Sequence, residues 1–226
     1  MYFILIIIPV VVIVLYLYYN NKINPHKVNN IREMYAEGLD MLVSGKRIAA
    51  YNNFKNIIDK DSNNIKSYIR LGQVLREGGN PTKALKVHKS LLIRKKMSSY
   101  ELIELHKNLS LNYYSLENFR KSIKEAKNIL KIENDNEWAI GHLILLYKKE
   151  NNWKEATDYL KVYFDKLNKR DNHKLALYKI QNSRMEIENK NFEKAREILE
   201  RALNIDDSLP LAYFFMGKTY SEESSV

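Results

Sequence analysis

The sequence predicts an all-α protein, in which a single transmembrane helix precedes an α-solenoid of about five and a half helical hairpins. Three observations support this fold class. The chain has only 7 Gly and 4 Pro among 226 residues, which leaves little turn material for a many-stranded β fold. Small residues recur at intervals of 34 positions, and the first nineteen residues carry no charged side chain. Hydrophobic residues at 45% and charged residues at 28% are typical of a folded protein.

The first nineteen residues, Met1–Tyr19, read MYFILIIIPVVVIVLYLYY and predict a transmembrane helix. Eighteen helical residues cover about 27 Å, close to the hydrocarbon thickness of a bilayer. A cleaved signal peptide would need a basic residue before the apolar core and small residues at a cleavage site. Neither is present, and Tyr16, Tyr18 and Tyr19 suit a membrane–water interface. The sequence therefore predicts an uncleaved single-pass anchor.

The residues after this span predict its orientation. Residues 20–30 (NNKINPHKVNN) are polar and contain Pro25, so we interpret them as a juxtamembrane linker. Lys22, Lys27 and Arg32 follow the span before the first acidic residue, whereas the N-terminal side has only the terminal amine. By the positive-inside rule, the rest of the chain then faces the cytoplasm and the N-terminus lies outside.

Residues 31–220 predict a tetratricopeptide-repeat array. Gly38 and Gly72 are separated by 34 positions, and the same interval separates Ala50 from Ala84. A repeat of this length with small residues at two fixed places is the tetratricopeptide pattern, in which each unit is a hairpin of a helix A and a helix B. The small residues let neighbouring helices approach closely. The interval recurs from Ser122 to Ala156 and from Ser183 to Gly217.

Two irregularities modify the array. The third and fifth units begin four and five positions later than the repeat period predicts, and the extra residues fall around Met97–Tyr100 and Asn168–His173. A sixth unit begins at Pro210 and has only a helix A. We expect longer turns at the two insertions and a disordered tail over residues 221–226.

The sequence contains no motif for catalysis or for binding a metal or cofactor. The absence of Cys excludes disulfides, thiolate zinc sites and Cys nucleophiles. The five His are scattered, and no two lie four residues apart. The pair Gly78–Gly79 lacks the Lys-Ser or Lys-Thr of a phosphate-binding loop. We expect no enzyme activity, no cofactor, no metal and no small-molecule substrate, and we interpret His88 as a packed neutral core residue.

The concave face of the array is the first candidate binding surface. Helix A residues beside the packing positions line this face in such arrays, and they mix aromatic, apolar and basic groups here. That mixture predicts an extended or helical partner peptide with acidic character, whereas the alternative is an ordinary solvated groove. The predicted groove residues are Lys66, Ile69, Gln73, Arg76, Lys107, Leu111, Tyr114, Trp138, Lys148, Arg184 and Ile187.

A basic patch is the second candidate. Residues 82–99 contain no acidic residue, in a chain whose formal net charge is +10. Near a bilayer each such cation contributes about 1 kcal/mol of attraction to anionic lipid, whereas the alternative is a solvated convex face. Nucleic-acid binding would need stacking aromatics among the cations, and none occurs before Tyr100, so we expect no nucleic-acid partner. The cations are Lys83, Lys86, Lys89, Arg94, Lys95 and Lys96.

Three stretches are more specific than the repeat period. They are YAEGLDMLVSGKRIAAYNNF (Tyr35–Phe54), LGQVLREGGNPTKALKVHKSLL (Leu71–Leu92) and LLYKKENNWKEA (Leu145–Ala156). Together with the uncharged span and the short linker, their order and spacing resemble the lipopolysaccharide assembly protein B family. The resemblance runs from the anchor to about Tyr220, and the turn Arg76–Gly79 is among its more distinctive parts.

This resemblance implies a bacterial inner-membrane protein with one N-terminal span, a cytoplasmic tetratricopeptide array and a C-terminal zinc ribbon. It also implies an adaptor that helps a membrane-embedded ATP-dependent protease to degrade the deacetylase committing the cell to lipid A synthesis. This chain has no Cys, so the metal ligands of the ribbon have no counterpart in it. It is therefore either a fragment of a longer protein or a shorter relative with a narrower role.

The predicted function is that of a membrane-anchored adaptor that binds proteins in bacterial envelope lipid homeostasis. The resemblance implies a membrane protease and its substrate enzyme as partners. Two alternatives stay open: a generic scaffold of another membrane complex, in secretion or division, and a structural subunit whose span matters most. An organelle receptor, which also pairs an anchor with such repeats, is the eukaryotic alternative.

Overall fold

The computed structural model describes residues 2–94 and 96–224, and within them every side chain except those of residues 2–8, 10 and 17–29. Every regular element in these residues is an α-helix. In chain order the helices are α1 Tyr2–Val43, α2 Arg47–Lys60, α3 Ile65–Glu77, α4 Pro81–Lys89, α5 Ser99–Ser115, α6 Phe119–Ile132, α7 Glu137–Lys149, α8 Trp153–Leu167, α9 Asn172–Glu188, α10 Phe192–Leu203 and α11 Pro210–Glu223.

The helices form two compact units, Met1–Lys95 and Lys96–Val226. In the first unit α1 packs on α2, α2 on α3, and α3 on α4. In the second unit each helix from α5 to α11 packs on its neighbours in sequence, and α11 also contacts α9. Contact between sequence neighbours is typical of helical-repeat proteins. The order confirms the predicted series of five hairpins, α1–α2 to α9–α10, followed by a single helix.

Capping side chains define where many helices begin. Asn118 and Asn152, one repeat period apart before α6 and α8, each accept a hydrogen bond from the backbone N–H three residues later. Ser98 forms a capping box with Glu101 at the start of α5. Pro81 occupies the first turn of α4, where its missing N–H costs no helical hydrogen bond. Such contacts satisfy backbone groups at the turns, so short connections can join consecutive helices.

The turn between helix A and helix B repeats one backbone feature in all five hairpins of the described residues. One residue in each of these turns has a positive φ, between 55° and 81°. Glycine adopts this conformation without strain, whereas a residue with a Cβ does so at a cost. The residues are Gly45, Gly79, Glu117, Asn151 and Lys190.

Apart from Gly217 on the single helix α11, where an added Cβ would meet no atom within 4 Å, the small residues predicted from the period lie where helices A and B touch. A Cβ added at Gly38 would come within 2.8 Å of an aromatic ring on α2, and one at Gly72 would overlap the His88 ring. Two serines take this role in the third hairpin. The Ser122 hydroxyl donates to the Ser110 carbonyl at 2.8 Å, and the Ser110 hydroxyl donates to the Ser122 carbonyl at 2.9 Å. These contacts confirm the predicted register.

Three boundaries differ from the sequence prediction. α1 continues through residues 20–30, which the sequence predicts to be a linker, and α11 reaches Glu223, inside the predicted tail. Polar residues lower helix propensity by well under about 1 kcal/mol each, and a nucleated helix gains a hydrogen bond per added residue, so polarity alone does not end a helix. The sequence also predicts a longer turn around Asn168–His173. The extra residues instead lengthen α8 and α9, and only residues 168–171 connect the two helices.

Within the part of the chain that the structure describes, no helix is both long enough and apolar enough to cross a membrane. Most side chains of the predicted anchor, Met1–Tyr19, lie outside the described residues. The anchor therefore stays a prediction from the sequence.

Candidate protein-binding surface

An open cleft of about 790 Å³ lies on α7, α8 and α9 of the second unit. Its lining is mainly aromatic and apolar, and charged groups stand at its edge. The α7 residues Trp138, Gly141, His142 and Leu145 line it together with Tyr163 of α8, Tyr178 of α9, and the exposed Glu137 and Lys174.

Aromatic rings stack along one face of α7. The Trp138 and His142 rings are nearly parallel, at an interplanar angle of 22° and a centroid distance of 4.7 Å. Tyr114 of α5 lies 5.7 Å from His142, and the Lys107 ammonium lies 5.3 Å from the Trp138 centroid. Residues four apart meet on a helix surface, so α7 itself aligns Trp138 with His142. Lysine over an indole adds a cation–π attraction.

The floor of this cleft is uncharged at neutral pH. Burial lowers the pKa of His142 to about 4, well below the ordinary value near 6.5. The Ser122 hydroxyl lies 3.4 Å from the Nε2 atom of this ring. The His142 ring is buried and stacks against the half-buried Trp138, so the exposed part of the indole, supported by a neutral imidazole, is the aromatic surface suited to an apolar or aromatic side chain.

Gly141 provides open space between these rings and the rest of the cleft. A Cβ built there would meet no atom within 4 Å beyond its own neighbours and helix backbone. Leu145, one turn further along α7, is 39% exposed. Together they leave room for a ligand side chain against an apolar wall.

Cations stand around the cleft. Lys148 lies 5.3 Å from the Tyr178 ring centroid, and within the described residues neither Lys148 nor Lys174 forms an ion pair. Lys107 lies 3.8 Å from the Glu104 carboxylate, so part of its charge is already balanced. The remaining positive groups would pair with acidic residues of a bound segment.

The structure brings together four of the predicted groove residues in the second unit. Lys107, Tyr114 and Trp138 meet around His142, and Lys148 contacts the Tyr178 ring. Arg184 lies elsewhere, because its guanidinium stands 5.6 Å from the Phe215 ring of α11 and donates to Gln181. Leu111 is half-buried. Ile187 is 4% exposed and packs in the core with Phe192 and Ala195, so its predicted place in the groove is wrong.

Most of the predicted groove residues of the first unit are buried or form hydrogen bonds within that unit. Ile69 is 3% exposed and belongs to the core, not to a surface as predicted, because α3 is packed on both α2 and α4. The Arg76 side chain is 11% exposed, and burial lowers its pKa. Gln73 accepts from Arg70 at 2.7 Å and donates to Glu77 at 2.9 Å. Of the predicted groove residues in this unit, only Lys66 is exposed.

Sequence reasoning missed the residues that shape the cleft, namely Gly141, His142, Leu145, Tyr163 and Tyr178. The spacing of Trp138, His142 and Leu145 on one helical face was a usable signal for three positions of α7. Tyr163 gave no such signal, because it comes from a helix B, whereas the predicted groove includes only helix A positions.

The predicted basic patch lies mainly on α4. Lys83, Lys86 and Lys89 are exposed there, while Ala84 and His88 on the same helix are buried. The first unit also contains Arg94, whose guanidinium lies 4.5 Å above the Tyr68 ring. Lys96 is exposed before α5 in the second unit, and Lys95 lies outside the described residues.

Residues 2–94 and 96–224 contain no group of three His, Asp or Glu side chains placed to hold a metal ion. What the cleft offers is aromatic faces, an apolar wall, open space and ammonium groups. These are the elements of peptide recognition.

Comparison with solved structures shows the class of fold. A tetratricopeptide repeat protein from Parabacteroides merdae superposes with a TM-score of 0.55 at 17% identity, over 86% of this chain and 73% of that one. MamA gives a TM-score of 0.56 at 14% identity, over 78% and 92%. YrrB, described as a TPR protein with an unusual peptide-binding site, gives 0.53 at 15% identity, over 80% and 89%. The chain thus has the all-helical tetratricopeptide-repeat fold.

Among curated proteins, the chain is similar to lipopolysaccharide assembly protein B of Escherichia coli strain K12. The two are 20% identical over 133 residues, which are 58% of this chain and 34% of that protein. The corresponding protein of Escherichia coli O157:H7 matches equally. The chain spans about a third of the length of the curated relatives that it matches. No family model matches the chain.

Proposed function

We propose that this chain is a non-enzymatic adaptor that holds an extended, acidic segment of a partner protein in the cleft of α7, α8 and α9. The observation that supports this proposal most strongly is the stacking of Trp138 on neutral His142, next to the open space at Gly141. An apolar side chain of the partner would fill that space. Lys148 and Lys174 would pair with acidic residues on either side of it.

We further propose a cellular location and a cellular process for this adaptor. The adaptor is tethered to the bacterial inner membrane by Met1–Tyr19, with its repeats in the cytoplasm, and presents a biosynthetic enzyme to a membrane protease in lipopolysaccharide homeostasis. The uncharged N-terminal segment and the basic residues after it support the tether. The 20% similarity to lipopolysaccharide assembly protein B supports the process.

Site-specific photo-cross-linking of the full chain in its own cells tests the proposal. A photoreactive residue replaces Leu145 in the cleft, and in a matched chain it replaces Lys169, which is exposed in the turn after α8. We expect a defined covalent partner from position 145 and not from position 169. The product should sediment with membranes and resist alkaline carbonate, and the cross-linked peptide should be acidic.

The identity of that partner separates the alternatives. A protease or a lipid A biosynthetic enzyme supports the envelope role, whereas a component of another membrane complex supports the generic scaffold. Equal products from both positions, or no product from position 145, would contradict a binding site in the cleft.

A further inference from the structure

A second cleft, of about 530 Å³, lies on α8, α9 and α10 of the second unit. Its lining is polar, unlike that of the cleft described above, and basic side chains enter it from all three helices. They are Lys154 and Lys161 from α8, Lys179 from α9, and Lys194 and Arg201 from α10.

Lys179 is half-buried and occupies a fixed position of the repeat. It lies four residues before Ser183, the small residue of helix A in the fifth hairpin. Other repeats place an aromatic or aliphatic side chain four residues before the corresponding position, namely Tyr68, His106, Ile140 and Tyr213. A lysine here therefore places an ammonium group where the repeat otherwise carries an aromatic or apolar one.

The acidic residues of this cleft are already paired with other cations. Asp158 lies 3.3 Å from Lys161, Glu186 lies 2.6 Å from Lys194, and Glu197 lies 3.2 Å from Arg201. Lys179 itself makes no hydrogen bond or ion pair with any described residue.

The charges near Lys179 do not balance its own. Burial lowers the pKa of Lys179, repulsion from Lys161 and Arg201 lowers it further, and Asp158 alone among its neighbours raises it. The lining as a whole has five basic and three acidic side chains, so an anion in the cleft would offset the excess positive charge.

We propose that this second cleft binds a phosphate group, with Lys179, which has no acidic partner in the described residues, as its central donor. Lys161 and Arg201, each of which also contacts a carboxylate, are its flanking donors. A phosphate monoester carries about −1.5 to −2 charges and three acceptor oxygens, so it matches a lining that has two more basic than acidic side chains better than a single carboxylate does. Arg201 can donate to two oxygens at once. Sites for small molecules measure about 300–1,000 Å³, so the cleft can also hold the body to which the phosphate is attached. That body is either a soluble metabolite or the glycerol of a phospholipid headgroup.

Calorimetric titration of the purified full chain tests this site. The probe is inorganic pyrophosphate, with sodium chloride of equal ionic strength as the blank. We expect saturable one-site binding. Lys179→Met and Arg201→Gln should each weaken it about tenfold or more, because a hydrogen bond to a charged group is worth about 1.5–3 kcal/mol. Lys169→Met removes the same charge outside the cleft and should leave the affinity unchanged.

Circular dichroism of each variant checks its fold. Arg201 lies at the surface, so Arg201→Gln keeps the test valid if Lys179→Met fails to fold. A second titration uses dihexanoyl phosphatidic acid, with dihexanoyl phosphatidylcholine as its blank. Tighter binding of the lipid than of pyrophosphate identifies a headgroup site, and the reverse order identifies a soluble ligand. Absence of saturable binding by both probes, or equal affinity of the three variants, would overturn the proposal.

Discussion

Gly72 sets how closely α3 and α4 approach, because the imidazole of His88 lies directly over it. His88 is 0% exposed, and its Nε2–H donates to the Ile69 carbonyl at 3.0 Å. Helix B normally carries a bulky side chain at this position, and here the ring is polar. The glycine provides room for the ring, and the carbonyl satisfies its donor.

We expect Gly72→Ala to destabilise the chain by about 1–3 kcal/mol, because the new methyl group would overlap the buried ring. Chemical unfolding of the full chain measures the change. In Gly141→Ala the Cβ meets no neighbouring atom, so this control should gain about 0.5–1 kcal/mol from helix propensity. If His88→Ala does not relieve the cost of Gly72→Ala in the double variant, the overlap is not its cause.

His88 also makes stability depend on pH. Burial lowers its pKa from the ordinary 6.5 to about 4. Between these two pH values the imidazole is protonated in the unfolded chain and neutral in the folded chain. The stabilisation is complete above pH 6.5 and is lost as the pH falls towards 4, to a total of about 3 kcal/mol.

Comparison of wild type with His88→Phe isolates this effect, since His142 titrates in both. The free energy of unfolding of wild type should fall relative to that of His88→Phe between pH 6.5 and 4. Parallel curves would mean that folding does not lower the pKa of His88.

At the scale of single elements, the hairpin turn is the feature that recurs most regularly. Gly45 and Gly79 lie one repeat period apart, as do Glu117 and Asn151, and all four have a positive φ. Glycine and asparagine fit this conformation, whereas glutamate is strained by its Cβ. The third hairpin therefore keeps the turn at a cost that the first two avoid.

Opposite changes in two of these turns test this. Glu117→Gly should stabilise the chain by about 0.4–1 kcal/mol through relief of strain, and Gly79→Ala should destabilise it by at least as much. Thermal unfolding measures both variants. A lower midpoint for Glu117→Gly would show that its turn is held by side-chain contacts instead.

The series of hairpins could be predicted from the sequence, because residues such as Gly72 and Ala84 recur with the repeat period and are selected for their small size alone. The residues that line the α7–α8–α9 cleft could be predicted only in part. Its α7 face follows from helical spacing, but Tyr163 reaches it from another helix, and no local pattern encodes that packing. Ile69 was misplaced because a surface position of a generic hairpin became core in this one.

At the scale of the whole molecule, packing and the candidate binding surface share residues. Small and apolar residues at fixed positions hold the helices together, and the core residues Ile144, Leu160 and Tyr178 also line the α7–α8–α9 cleft. The net charge of +10 suits the acidic or phosphorylated ligands proposed for both clefts.

The central claim is that the α7–α8–α9 cleft binds the partner, and Gly141→Leu in the full chain tests it most directly. The leucine fills the open space, so the partner should lose the burial of one apolar side chain, about 1.5–3 kcal/mol or at least tenfold in affinity. Helix propensity should keep the melting temperature equal or higher. Gly217→Leu, another open helical glycine, is the matched control and should bind normally. The measurement is the affinity of each variant for the acidic peptide identified by cross-linking. Loss of binding by Gly141→Leu alone, with its fold intact, is the expected result, and undiminished binding would contradict the account.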